Sequence, residues 1–284
     1  MRILVTGARG QLGRLLVERL SQAHTVTGID IQELDLTNQP ETQRFITDLQ
    51  PELVIHCAAL TNVDYCAEHP DDALTVNGYG TQHIALGCQA VGAAMVHIST
   101  NEVFDGTNTG AYLEYDRTHP AGNAYAYSKW VAEQMVRDLV PRHMIVRFSW
   151  LFAHGGKNFI HAILNRAASG QPMRVVTNEV AVPTYANDVA EALEKLIETR
   201  HYGIYHLVNE GRASRWTFAR HILDLAGYQN TPIEKITVAE YPRPSRPPEY
   251  SVLRNFAAAR LGIQLRTWQE AVAAFLNAEG LLAK

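Results

Sequence analysis

The turn Thr6-Gly7-Ala8-Arg9-Gly10-Gln11-Leu12-Gly13 constrains the fold of this chain more than any other feature. It follows directly on an apolar run, residues 2–6, that reads as a strand, and a helical pattern covers residues 11–21. Glycines at these positions permit a tight turn, close backbone approach to a pyrophosphate, and close packing of helix on strand. The N-terminus of the following helix would aim free N–H groups and the positive end of its dipole at the phosphates. A glycine motif alone is a weak signal; strand before and helix after are what make it a dinucleotide site.

The rest of the chain continues that rhythm. Strand-like runs at 25–30, 53–58, 95–99 and 144–148 alternate with helical patterns at 41–49, 73–91 and 125–139. Such alternation predicts an α/β fold with a Rossmann-like, doubly wound parallel sheet. The order then loosens, with a helix over 159–169, an extended piece at 174–177, a helix over 187–198 and a strand at 203–208. At roughly 150 residues per domain, 284 residues suggest one large domain and a smaller lobe. The expected division is a dinucleotide-binding domain over 1–150, rejoined by 185–210, and a C-terminal substrate lobe made of 151–184 and 211–284. The proline-rich stretch 241–251 suits neither a helix nor a central strand, and is expected to run extended over the surface or a cleft.

Composition excludes several classes. Lys and Arg number 25 against 29 Asp and Glu, a formal charge of −4. A nucleic-acid backbone binder would carry a basic excess. No apolar run reaches the roughly 20 residues of a membrane helix, and the apolar start is too short for a secretory signal; a cytoplasmic enzyme is expected. Cys57, Cys66 and Cys88 are too few and too scattered for a disulfide framework or a zinc site. The 12 histidines show no metal-ligand spacing, His56 and His97 read as core residues, and no metal is expected. The absence of a GxSxG elbow sets aside a conventional hydrolase.

Candidate cofactor contacts follow from the strand ends. Asp30 closes the second strand, 17 residues beyond Gly13, where a carboxylate can accept from an adenosine ribose. Asp35-Leu36 lies within reach of an adenine, and Ala58-Ala59-Leu60-Thr61 offers small residues at the carboxyl end of the third strand. Cofactor preference is divided: Asp30 favours NADH, whereas Arg9 could pair with the 2′-phosphate of NADPH.

The candidate chemistry lies in Tyr125-Ala126-Tyr127-Ser128-Lys129, where Tyr125 and Lys129 share a helix face at i and i+4. A phenol of pKa near 10 exchanges protons poorly at neutral pH, and a nearby ammonium is expected to lower it. Lys129 could also hold a nicotinamide ribose. Tyr127 has no lysine four residues on, so Tyr125 is the better acid. Ser99-Thr100, at the end of the fourth strand, places a hydroxyl where it could bond a substrate carbonyl. Asn77, in an otherwise apolar helix, is a candidate to anchor a water that relays protons to Lys129.

With these segments the chain resembles the extended short-chain dehydrogenase/reductases, and within them the dTDP-4-dehydrorhamnose reductases. VTGARGQLG, LVIHCAALTNVD, VHISTNEVFDG and YAYSKWVAE carry the likeness, as do VRFSWLFAHGGKNF, VPTYANDVA and RPPEYSVL. The resemblance implies NAD(P)H-dependent reduction of the C4 ketone of a dTDP-6-deoxy-4-ketohexose, with NADPH the usual cofactor and NADH also accepted. It implies Thr100, Tyr125 and Lys129 as the catalytic set, with Asn101 beside it and Trp150 touching the sugar nucleotide. It also allows a homodimer. Two other readings stay open: an epimerase or dehydratase of the same superfamily, and a non-enzymatic regulatory subunit like the methionine adenosyltransferase β subunit. The chain departs from the family pattern at Asn101-Glu102, where an Asp-Tyr pair is usual, and at Ala126, where Gly is favoured. It departs again at Asn178-Glu179-Val180-Ala181 and in a proline-rich segment one residue longer than common. These departures bear on which sugar is recognised.

Overall fold

A computed structural model describes residues 1–156 and 158–283. Six parallel strands form its central sheet: β1 (Arg2–Thr6), β2 (Thr25–Ile29), β3 (Leu53–His56), β4 (Ala94–Thr100), β5 (His143–Phe148) and β6 (Gly203–His206). Their spatial order is β6-β5-β4-β3-β1-β2. The chain steps one way from β1 to β2 and then returns past β1 to β3. That reversal opens a crevice beyond the carboxyl ends of β1 and β3, the place where open α/β sheets bind ligands.

Alternation along the strands builds a core on each face. Ile3 and Val5 point to one side with Ile55, Val96 and Val146, against Leu16 of helix Gln11–Leu20 and Leu193 of helix Ala186–Thr199. Leu4, Val54, Met95 and Ile145 point to the other, against Ile46 of helix Gln39–Leu49 and Ile84 of helix Gly80–Val91. Every residue of β3 and β4 is buried, as strands covered on both faces must be. A third core follows the end of β5, where Phe152, Phe218, Trp268 and Phe275 join helices Phe159–Ala168, Arg215–Leu225 and Trp268–Ala278.

One expectation needs correction. The 73–91 helix is not continuous: Pro70–Ala73 is α-helical, Leu74–Tyr79 is a π-helical turn, and the α-helix resumes at Gly80–Val91. The extra residue per turn lets Asn77 face inward, as described below. A short helix, Val63–Glu68, also precedes it. Residues 241–251 run without regular structure across the sheet's carboxyl edge. Arg243 Nε and Ser245 N–H both donate to Asp64 (2.9 and 3.1 Å), and Ser251 N–H donates to the Val180 carbonyl (3.0 Å). Among the described residues no helix is long and apolar enough to cross a membrane.

Candidate active site

At the β1 end the backbone itself forms the site. Gly7 has φ +66°, and a Cβ there would lie 2.6 Å from the Ala58 nitrogen. A Cβ on Gly13 would fall 2.1 Å from the Gly7 carbonyl oxygen. Gly10 caps helix Gln11–Leu20, whose Leu12 is anchored in the core. Gly156 packs so closely on Gln11 that a Cβ would meet its amide at 2.8 Å. A cavity of about 340 Å³ opens beside this turn, lined by Gly7, Asp30, Asp35, Leu36, Ala58, Ala59 and Leu60 among others. Thr61 continues from that wall and is exposed.

The cavity's polar rim is already ordered. Asp30 accepts from Arg9 N–H (3.0 Å) and Ile31 N–H (2.9 Å). The Arg9 guanidinium is paired with Glu33 and Gln32. Asp35 bonds Thr37, and the Leu36 carbonyl meets His83 Nδ1 at 2.8 Å. A glycine cradle that one added methyl would fill, a helix N-terminus and an acidic strand end fit a dinucleotide.

The reactive end lies at the carboxyl edge of β4. Asn123 caps helix Ala124–Leu139 through Ala126 N–H (2.8 Å) and donates to Glu102 (2.8 Å). Tyr125 stands in that helix's first turn. Thr100 ends β4; its hydroxyl accepts from Glu102 N–H and donates to Asn101 Oδ1, each at 3.2 Å. Burial and the Glu102 carboxylate push the Tyr125 phenol up from its usual range, while a hydrogen bond with Thr100 pulls the other way. This reverses the expected lowering by Lys129. The Lys129 ammonium is turned elsewhere: it donates to the Ile98 carbonyl (2.7 Å) and lies 3.4 Å from His97 Nε2. Burial brings Lys129 down to about 8, against the opposing pull of Glu133.

Asn77 is a strut here. Its amide donates to the Leu60 carbonyl (3.1 Å) and Ser128 Oγ (2.9 Å), and its Oδ1 accepts from Leu60 N–H (2.8 Å). Both of its side-chain hydrogens are therefore bonded to protein, and its oxygen carries one of the two bonds it can accept. His56 is satisfied by Thr6 (2.7 Å) and Thr81 (3.0 Å), whereas His97 Nδ1 is buried without a partner.

Several residues of the site escaped sequence reasoning. Glu133, one helical turn beyond Lys129, binds Arg147 of β5 through both oxygens (2.8 and 2.6 Å) and accepts from Ser99 (2.5 Å), all fully buried. Its i+4 spacing from Lys129 was the available signal. Across the cleft Trp150 adopts φ +44°, uncommon for a bulky residue. The Arg215 guanidinium lies 3.7 Å from its ring centroid and donates to Glu179 (2.8 Å). Asn101 donates to Ser251 (2.6 Å), joining the strand end to the proline-rich segment.

Known proteins resemble this chain throughout. A model of the family described as the RmlD substrate binding domain matches residues 1–280. The spore coat polysaccharide biosynthesis protein SpsK of Bacillus subtilis (strain 168) is 38% identical, over 97% of each chain. The dTDP-4-dehydrorhamnose reductase of Aggregatibacter actinomycetemcomitans is 37% identical, covering 95% of this chain and 97% of that protein. The crystal structure of the dTDP-4-dehydrorhamnose reductase of Bacillus anthracis str. Ames, in complex with NADP, superposes with TM-score 0.92 at 33% identity, over 98% of this chain and 99% of that one.

Proposed function

The chain belongs to the family of the RmlD substrate binding domain, and from that premise we propose that it reduces dTDP-4-dehydrorhamnose to dTDP-rhamnose with NADPH. The observation that carries the reading is the meeting of Thr100 and Tyr125 at one sheet edge, beside a glycine-cradled cavity. When bound, the reduced nicotinamide supplies hydride to the C4 carbon.

In this reading Gly7, Gly10 and Gly13 let the backbone reach the pyrophosphate, Asp30 meets the adenosine ribose, and Asp35 and Leu36 flank the adenine. Ala58 to Thr61 line the middle of the cofactor. Thr100 and Tyr125 donate hydrogen bonds to the C4 carbonyl, which polarises it and fixes its face. Charge then develops on that oxygen, and Tyr125 delivers its proton there. A reductase needs this phenol in its acid form at rest, and burial together with Glu102 keeps it so. Lys129, one turn along the same helix, would stabilise the phenolate and hold the nicotinamide ribose through an ammonium hydrogen that it does not give to the Ile98 carbonyl. Asn101 and Trp150 contact the sugar nucleotide, with Arg215 stacked on the indole. The free thiols Cys57, Cys66 and Cys88 suit a reducing cytoplasm.

The test is turnover with a panel of dTDP-4-keto sugars. Tyr125→Phe keeps the ring and removes the proton, so kcat should fall by about 10²–10⁴-fold with NADPH affinity little changed. Tyr127 is half exposed on the same helix, and Tyr127→Phe should stay active. Full activity in the first variant and none in the second would overturn the assignment.

A further inference from the structure

We propose that Glu179 and Arg215 form a shelf that holds the Trp150 indole in place for the sugar nucleotide, which makes both of them positioning residues for substrate binding. This rests on the reductase reading above, in which Trp150 contacts the substrate, and deepens it by naming what fixes that contact.

The indole does not hold its own position. Trp150 has φ +44°, a left-handed backbone that bulky residues rarely adopt and that persists only where the surroundings enforce it. Its carbonyl accepts from Thr184 N–H (3.2 Å), just ahead of the short pairing of Leu151–Phe152 with Thr184–Tyr185. Those bonds fix the backbone and leave the residue half-buried. What meets the ring is the Arg215 guanidinium, 3.7 Å from its centroid, against 5.4 Å from the centroid of Phe159. At 3.7 Å the cation must lie over the ring face, because an approach from the edge would be stopped farther out. A guanidinium is planar and weakly hydrated, so it stacks on an aromatic face as an ammonium does not.

Arg215 is held in turn by one residue at both its backbone and its side chain. Strand Val180–Ala181 pairs antiparallel with Ala213–Ser214, and one bond continues the ladder, from Arg215 N–H to the Glu179 carbonyl (3.1 Å). The Glu179 carboxylate also accepts from Arg215 Nε (2.8 Å). Glu179 is only 6% exposed, so its charge depends on this cation more than on water. A carboxylate on Nε limits how the guanidinium can turn, and so fixes the plane offered to the indole. The residue that does this sits in one of the segments where the chain departs from the family pattern.

The same strand ties the shelf to the reacting edge. The carbonyl of Val180, next to Glu179, accepts from Ser251 N–H (3.0 Å). The Ser251 hydroxyl accepts from Asn101 (2.6 Å), the neighbour of Thr100. A continuous chain of bonds therefore sets the indole relative to the hydroxyl that meets the C4 carbonyl.

The experiment measures kcat and KM for dTDP-4-dehydrorhamnose and NADPH in wild type, R215M, R215K, E179Q, W150A and two double variants. R215M removes the stacking plane, so KM for the sugar nucleotide should rise about tenfold while kcat and KM for NADPH stay within about twofold. R215K keeps the charge without the plane and should rise nearly as far, whereas E179Q keeps an acceptor for Nε and should rise less. The double variant E179Q/R215M leaves no stranded carboxylate and should show the same KM as R215M, which separates positioning from a loss of stability. With the indole gone the shelf holds nothing, so R215M should add less than about twofold in the W150A background. A second readout needs no turnover: the fluorescence of Trp150, taken as wild type minus W150A, should change in R215M. Wild-type KM in both R215M and E179Q would overturn the proposal. So would an equal rise in both backgrounds, which would mean that Arg215 meets the ligand directly. A wild type that reduces none of the dTDP-4-keto sugars would instead sink the reductase reading, and this proposal with it.

Discussion

At the scale of single residues, the phenol and the guanidinium at the two ends of the site are both governed by a neighbouring carboxylate. Tyr125 keeps its proton because burial and Glu102 oppose ionisation together, so in the proposed reaction Lys129 would act after proton transfer, when a phenolate must be stabilised. Lys129→Met should therefore lower kcat and also raise KM for NADPH, a double effect that Tyr125→Phe lacks. Steady-state kinetics with both cofactors separates the two. At the other end Glu33 holds Arg9, and that pairing in turn keeps the Glu33 carboxyl below its ordinary range. Asp30 is meanwhile bonded to Arg9 N–H and Ile31 N–H. With the phosphate-seeking cation engaged and the ribose-seeking carboxylate in place, neither cofactor is strongly excluded. NADPH and NADH should differ by no more than about 100-fold in kcat/KM, the reach of one or two polar contacts. Glu33→Gln frees the guanidinium and removes a like charge from beside a 2′-phosphate, and should shift the ratio toward NADPH by up to about tenfold. An unchanged ratio would mean that Arg9 does not meet the phosphate.

At the scale of elements, the helix carrying Tyr125 and Lys129 is fixed to the sheet by Glu133, which grips Arg147 on β5 and Ser99 on β4. Both charges are fully buried, so removing one strands the other in a medium that solvates it poorly. Glu133→Met should cost about 3–5 kcal/mol, and adding Arg147→Met should recover much of that loss, since an apolar pair of similar volume is often as stable as a buried ion pair. Urea midpoints of the two single variants and the double variant provide the measurement; a double variant no better than Glu133→Met would argue against the pair as the cause. This clamp explains part of what could be read from the amino acids and what could not. Periodicity located the six strands and the Tyr125 helix because each buries a face regular enough to leave a pattern. The π-helical turn at Leu74–Tyr79 left none. It exists because Asn77 must turn in toward Leu60 and Ser128, partners 17 and 51 residues away in the chain. Helix Trp268–Ala278 was legible in principle, since Thr267 and Glu270 form a capping box. The glycine turn, Thr100, Tyr125 and Lys129 stood out because their spacing is local. Glu102 stood out only as an odd residue, because its acidity depends on what four other segments bring against it.

At the scale of the whole molecule, the sheet encloses histidines that fold in the neutral form. Burial brings His56 and His206 down to about 3, and His97 well below its ordinary value, with Lys129 and Arg147 adding repulsion. The unfolded chain binds these protons near pH 6.5 and the folded chain does not, so the unfolded state holds more protons throughout the window from 6.5 down to about 3. Stability must then fall as pH drops through that window. At pH 5 His56 and His206 each cost about 2 kcal/mol relative to neutrality, and His97 adds to the loss in the same direction. Glu102 works in the opposite sense: its folded value is raised to about 7 from an ordinary 4.5, so folding gains from its protonation as pH falls between those values. That gain offsets roughly one histidine and leaves a net loss of about 2 kcal/mol at pH 5 before His97 is counted, a sizeable part of the 5–15 kcal/mol that typically holds a domain together. The window also identifies the cause. The carboxylates whose values are lowered, such as Glu240 and Glu270, begin to matter only below about pH 4.5. Loss of stability between pH 6.5 and 4.5 is therefore due to the buried rings. Urea midpoints taken from pH 8 to 5 should decline across this range. In His206→Gln, which cannot take the proton, the decline should be shallower even though the starting stability is lower. Midpoints that stay level down to pH 5 would show that these histidines are not held neutral by the fold.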